Sequence, residues 1–140
     1  MKETLRQVGK NLWVADLDSA VTVQDSFGLI IDCEGGGSCK NSLVMSPTGK
    51  TSHSWTARDL NQIISFALPA LRNGKQVLLH CHRGVSRSAC AAAAILIATG
   101  EAETLEDALA KVATSGRGPA VVTVSSLKGW FRDYRTFKLL

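Results

Sequence analysis

The sequence lacks the segments that mark secreted, membrane-spanning and nucleic-acid-binding chains. Its first residues carry no apolar stretch of the kind that a signal peptide needs. The most apolar segment, residues 89–98, is too short to cross a bilayer. Lysine and arginine form no run, although the net charge is +4, so nucleic-acid binding is not indicated. These absences predict a cytoplasmic chain without a membrane span, whose four cysteines remain thiols.

The composition suits one folded domain. The chain has 140 residues, of which 45% are hydrophobic and 20% charged, which is enough to bury a core. We therefore expect a single domain over residues 1–140, acting as a monomer. The mildly basic balance fits an anionic substrate, but it fits many other proteins equally well.

Apolar patterns alternate between strand and helix along the chain. Strands are predicted at residues 11–15, 28–33, 42–45 and 76–80. Helices are predicted at residues 57–73, 88–99, 105–114 and 124–137. Pro69 predicts a kink or an early stop in the first of these helices. The alternation predicts an α/β fold, with a central, mainly parallel sheet of four or five strands flanked by helices.

The segment from Val77 to Ser88 runs from a strand through a glycine-containing loop into a helix. Such a loop points several N–H groups at one spot, and the helix dipole adds positive charge, so a phosphate can bind there. Gly84 allows the backbone to approach the ligand closely. Cys81 opens the loop, where the same charges favour the thiolate, a competent nucleophile toward phosphorus. Arg87, at the first turn of the helix, can hold two phosphoryl oxygens with its planar fork.

The remaining residues of this segment have predicted supporting roles. Ser88 can donate a hydrogen bond to the cysteine sulfur and help it to leave. His80 can orient the loop through backbone bonds. Arg83 either contacts a second anionic group of the substrate or is a solvated charge or an internal salt-bridge partner. The predicted substrate-binding residues are His82, Arg83, Gly84, Val85, Ser86 and Arg87.

The pattern His80-Cys81, five residues, Arg87-Ser88 resembles the signature of the cysteine-based protein tyrosine phosphatases. The glycine and the serines of the loop make it most similar to the small dual-specificity branch. Residues 13–20 resemble the first strand and turn of that branch, and residues 104–109 and 117–134 resemble its C-terminal helices. The resemblance implies hydrolysis of phosphotyrosine, and also of phosphoserine or phosphothreonine, through a phosphocysteine on Cys81. It implies no metal and no other cofactor.

The sequence departs from this family at the general acid. The family normally uses an aspartate on a loop upstream of the catalytic strand, and here residues 46–56 contain no carboxylate. Asp59 is one replacement, although it can equally balance the dipole at a helix N-terminus. His53 is another, as an imidazolium, and Asp32 is a weaker third choice. If no residue donates the proton, aryl and anhydride leaving groups should be favoured over alkyl ones.

Other readings of the same residues stay open. The same chemistry could act on an inositol phosphate, a phospholipid or an RNA 5′-triphosphate rather than on a phosphorylated protein. A binding module could hold phosphorylated partners without turnover, which the missing acid supports and the Cys81, Arg87 and Ser88 set opposes. Oxidation could join Cys33 to Cys81 in a reversible disulfide, although a buried spectator thiol is the commoner case.

Overall fold

The fold is known from a computed structural model, which describes residues 5–51, 53–113 and 121–138. Within these ranges the chain forms one sheet of five strands, with the order β1-β2-β5-β3-β4. The strands are β1 Arg6–Gly9, β2 Leu12–Ala15, β3 Leu29–Asp32, β4 Leu43–Val44 and β5 Val77–His80. β1 pairs with β2 antiparallel, whereas all the other pairs are parallel. The predicted mainly parallel α/β sheet is confirmed.

Helices cover both faces of this sheet. They are α1 Leu17–Val23, α2 Ala57–Arg72, α3 Arg87–Thr99, α4 Leu105–Val112 and α5 Val121–Lys138, with a short 3₁₀ turn at Gln24–Ser26. The helices α2 to α5 contribute to the larger core, and α1 packs with a small cluster on the other face. In the described part of the chain, no helix has the combination of length and apolarity that crossing a membrane requires.

Local sequence explains where the helices begin and end. Thr56 caps α2, and its side chain and that of Asp59 form a reciprocal capping box. α3 ends at Gly100, which takes a left-handed φ of 84°. Pro69 does not end α2 early, since the helix runs on to Arg72.

The central position of β5 and α3 follows from their composition. All four residues of β5 are buried between β2 and β3, as expected for an apolar strand in a parallel sheet. The helix α3 is apolar nearly all round, and its residues from Ser88 to Ile97 are all buried. The strand register aligns Ala15, His80 and Asp32 across the sheet. The residues that follow these three therefore leave the sheet along one edge, and Cys81 is the middle one.

Candidate active site

The site is the loop of residues 81–86, which joins the buried strand β5 to the buried helix α3. The Gly84 amide donates a hydrogen bond to Cys81 Sγ over 3.3 Å. Ser88 Oγ lies 3.1 Å from the same sulfur, and both side chains are buried. A thiolate at this position would accept hydrogen bonds from both groups at the amino end of α3. The structure thus brings Cys81, Gly84 and Ser88 together as the sequence predicts.

The middle of this loop, at Gly84, accommodates glycine and no larger residue. Its φ is +72°, and a Cβ atom there would lie 2.6 Å from the carbonyl carbon of Ala15 and 2.7 Å from the amide nitrogen of Asp16. The loop therefore packs directly on the turn between β2 and α1. The Leu17 amide strengthens this contact by donating to the carbonyl of His82 over 3.1 Å.

Two residues that the sequence analysis did not identify hold the far end of the loop. Trp55 is buried, and its Nε1 donates to the Arg87 carbonyl over 3.2 Å. Thr123, from α5, places its Oγ1 2.7 Å from Ser86 Oγ. Both contacts join residues more than thirty positions apart, and no local sequence motif predicts either of them.

Arg87 occupies the first turn of α3, and its charge acts on the Cys33 thiol. Burial raises the pKa of Cys33 well above its usual value, the Cys81 sulfur and Asp32 add to the rise, and Arg87 opposes it. Burial likewise raises the pKa of Cys90 and of Cys39. These three thiols therefore stay protonated at neutral pH, when they are weak nucleophiles.

Asp32 and His80 lie on the sheet face opposite Cys81, because neighbouring residues on a strand alternate. The Asp32 carboxylate accepts from the amides of Glu34 (2.9 Å), Gly35 (3.0 Å) and Gly37 (2.7 Å). It thereby folds the glycine-rich loop that follows β3. His80 Nε2 is 3.9 Å from Asp32 Oδ1, and burial lowers the pKa of His80, although Asp32 opposes this. The imidazole is therefore neutral at pH 7.

Asp59 is built into the helix start rather than aimed at the loop. Its carboxylate accepts from the amide of Thr48 (2.9 Å), from Thr48 Oγ1 (2.9 Å) and from the amide of Thr56 (3.1 Å). Burial alone would raise the pKa of Asp59, but these hydrogen bonds outweigh it and lower the pKa. A general acid must be protonated before it acts, and this environment favours the anion, so a catalytic role of Asp59 stays a prediction.

The other predicted residues differ in their exposure and contacts. His82 and Arg83 are exposed, and His82 Nδ1 is 3.6 Å from Glu34 Oε1. Val85 is half-buried. His53 lies in the turn before α2, where its amide donates to Thr51 Oγ1 over 3.2 Å. His82 and Arg83 are therefore accessible, and their predicted role in substrate binding stays a prediction, as does a catalytic role of His53.

Comparisons with known proteins agree with this geometry. Residues 17–137 match the family described as Dual specificity phosphatase, catalytic domain. A mouse putative dual specificity phosphatase complexed with zinc tungstate superposes with a TM-score of 0.82 at 17% identity, covering 100% of this chain and 94% of that one. PTPMT1 gives a TM-score of 0.77 at 21% identity, covering 96% and 98% of the two chains. Human DUSP28 gives 0.76 at 17% identity, covering 96% and 97%. No curated protein sequence matches significantly.

The structural likenesses are too distant in sequence to show more than a shared fold. The family match is more specific, because it spans most of the chain, including the loop that starts at Cys81. The chain belongs to the dual specificity phosphatase family and is a cysteine-based phosphatase that acts on phosphate esters.

Proposed function

We propose that Cys81 is the nucleophile of this phosphatase and that phosphotyrosine in proteins is its preferred substrate. The observation that carries the proposal is the environment of Cys81 Sγ, which meets the Gly84 amide and Ser88 Oγ at the amino end of a buried helix. Donors that converge on one sulfur at a helix N-terminus stabilise a thiolate and, in front of it, a tetrahedral oxyanion.

The reaction has two steps. The Cys81 sulfur attacks phosphorus, an S–P bond forms, and the P–O bond to the leaving group breaks with its electron pair on oxygen. Arg87 holds two phosphoryl oxygens during the transfer. Water then attacks phosphorus, the S–P bond breaks, and inorganic phosphate is released. Ser88 donates a hydrogen bond to the departing sulfur in this second step.

The preference for aryl esters follows from the placement of Asp59. Because backbone amides and a hydroxyl hold its carboxylate, the leaving oxygen departs without a proton from this residue. A phenolate is a much weaker base than an alkoxide and needs less protonation to leave. We therefore expect faster hydrolysis of an aryl phosphate than of phosphoserine and phosphothreonine peptides. Equal rates on both would contradict the proposal.

A variant series tests the assignment of the nucleophile. Cys81→Ser should abolish hydrolysis of a chromogenic aryl phosphate, whereas Cys39→Ser, which changes a buried thiol in the cluster on the other face, should retain it. Ser88→Ala should slow the hydrolysis of the phosphoenzyme, so that rapid mixing shows a burst of phenol followed by a slower steady state. Activity retained in Cys81→Ser would overturn the assignment.

We further propose that residues 1–140 form a single catalytic domain that acts as a cytoplasmic monomer on phosphorylated proteins. The free cysteines among the described residues support a reducing compartment. A substrate panel that adds an inositol phosphate, a phospholipid and an RNA 5′-triphosphate separates the protein substrates from the other esters. Sedimentation measures the oligomeric state.

A further inference from the structure

Arg6, the first residue of β1, lies beside the loop of residues 81–86, although it is 75 positions from Cys81 in sequence. The strands β2, β5 and β3 run parallel and end at the edge where the loop begins. Because β1 runs antiparallel to β2, its first residue meets this same edge, and Arg6 pairs with Val14. The sheet topology alone thus brings a guanidinium to the catalytic end of the fold.

The guanidinium joins the loop to the helix α4. Arg6 Nη1 donates to the Gly84 carbonyl over 3.1 Å, and Nη2 donates to the Val112 carbonyl at the end of α4. The side chain is partly buried under these contacts. A planar fork with donors in fixed directions suits such a bridge, since it fixes the two acceptors relative to each other.

The bond to the Gly84 carbonyl orients the peptide between Gly84 and Val85. In a trans peptide the N–H points away from the C=O, so a carbonyl turned toward Arg6 turns the Val85 amide to the opposite side. The preceding amide, that of Gly84, donates to Cys81 Sγ. Arg6 therefore acts on the part of the loop that surrounds the sulfur.

The charge of Arg6 acts on the same sulfur. Burial lowers the pKa of Arg6, and attraction to the Cys81 sulfur opposes this change. An arginine remains a cation under such a shift. The attraction between the guanidinium and the sulfur is mutual.

We propose that Arg6 is a positioning residue of the active site, which holds the Gly84–Val85 peptide in place and supplies a positive charge behind Cys81. This inference rests on the proposed role of Cys81 as the nucleophile. It assigns Arg6 no contact with the substrate, and its effect reaches the reaction through the loop and the sulfur.

Three variants test the proposal. Arg6→Met removes the charge and both hydrogen bonds, Arg6→Lys keeps the charge without the fork, and Arg72→Met removes an exposed charge at the end of α2, near the opposite edge of the sheet. The readouts are kcat and KM on an aryl phosphate, the pH dependence of Cys81 alkylation by iodoacetate, and the thermal midpoint. We expect Arg6→Met to lower kcat about tenfold or more, with a smaller change in KM, as for the loss of a charged hydrogen bond.

The alkylation profile separates positioning from a merely structural effect. In Arg6→Met its midpoint should move to higher pH, whereas in Arg6→Lys it should stay near that of the wild type while kcat falls. Arg72→Met should match the wild type in every readout. If the first variant does not fold, Arg6→Lys still decides through its kcat.

Wild-type kcat and an unshifted alkylation profile in the Arg6 variants would overturn the proposal. A lower kcat that follows only a lower thermal midpoint, with an unshifted profile in Arg6→Met, would overturn it too. The nucleophile assignment fails separately, because it predicts an inactive Cys81→Ser whatever the Arg6 variants do.

Discussion

The substitution Asp59→Asn distinguishes a structural carboxylate from a general acid. Asparagine has the same shape as aspartate, and its amide oxygen can replace Oδ2, which accepts from the amides of Thr48 and Thr56. Its NH₂ group can then donate to Thr48 Oγ1, the group that now donates to Asp59 Oδ1. The variant therefore keeps the hydrogen-bond geometry and loses the negative charge and the titratable proton.

The expected loss of stability can be worked from these contacts. Two amide hydrogen bonds change from charged to neutral acceptors, which costs about 1 kcal/mol each, so the total is roughly 2 kcal/mol. The lost interaction with the α2 dipole adds a few tenths more, about 0.3–1 kcal/mol. For a domain of this size, about 4 °C of thermal midpoint is lost per kcal/mol, so the combined loss of about 2.3–3 kcal/mol should lower the midpoint by roughly 10 °C at pH 7.

The pH dependence has a definite sign. The pKa of Asp59 is lowered in the folded chain, so its stabilising effect is complete above the unfolded value, about 3.9. The effect is lost as the pH falls through the lowered folded value. The wild type and Asp59→Asn should therefore differ most in thermal midpoint at neutral pH and converge in acid. Asp107→Asn is the matched control, because Asp107 has the same position in α4 but an exposed carboxylate.

Kinetics decide the catalytic question. Well below the thermal midpoint, we expect the kcat of Asp59→Asn on an aryl phosphate to stay within about threefold of the wild type, since the geometry is retained. Loss of a general acid would instead lower kcat by about 10²–10⁴, most strongly for poor leaving groups. A hundredfold loss of kcat with an unchanged thermal midpoint would refute the structural role assigned to Asp59.

Two further substitutions test how the loop is held. Gly84→Ala should abolish hydrolysis and lower the thermal midpoint, because the new Cβ would lie 2.6 Å from the backbone of Ala15; wild-type kcat would contradict this packing. Trp55→Phe keeps an aromatic side chain but loses part of the buried ring system and the hydrogen bond to the Arg87 carbonyl. It should cost about 1 kcal/mol of unfolding free energy, measured by denaturant titration, and it should lower kcat on an aryl phosphate. No change in either quantity would show that the bond is dispensable.

The elements at the centre of the fold could be predicted because their patterns are strong. The observed β5 and α3 each begin within one residue of the predicted position, since both are continuously apolar and flanked by a glycine or a loop. β1 and α1 were missed because they bury little: Val8 is the buried residue of β1, and Ser19 and Ala20 are those of α1. The Asp16 side chain accepts from the Ser19 amide over 2.8 Å, so an N-cap signal for α1 was present.

The residues of the candidate site also fall into those that the sequence could predict and those that it could not. Cys81, Gly84 and Ser88 belong to one contiguous motif, so their proximity follows from a single strand, loop and helix. Arg6 and Trp55 reach the loop by donating to backbone carbonyls. Every residue carries such a carbonyl, so the sequence does not indicate which one accepts the hydrogen bond. Only the topology of the sheet and the packing of the loops could reveal these contacts.

The carboxylates of Asp32 and Asp59, two candidates for the general acid, both take part in hydrogen bonds that fold neighbouring loops. The Asp32 carboxylate accepts hydrogen bonds from three amides of the loop after β3. The Asp59 carboxylate accepts hydrogen bonds from two amides of the segment before α2. In both cases these hydrogen bonds engage the carboxylate oxygens that a general acid would use to deliver a proton. Hydrogen bonds to the ionised form lower the pKa of Asp59, so the bonds that fix this loop also favour the carboxyl group without its proton. If no other residue supplies the proton, the departing oxygen leaves unassisted, and the enzyme should therefore select esters whose leaving group is already a stable anion.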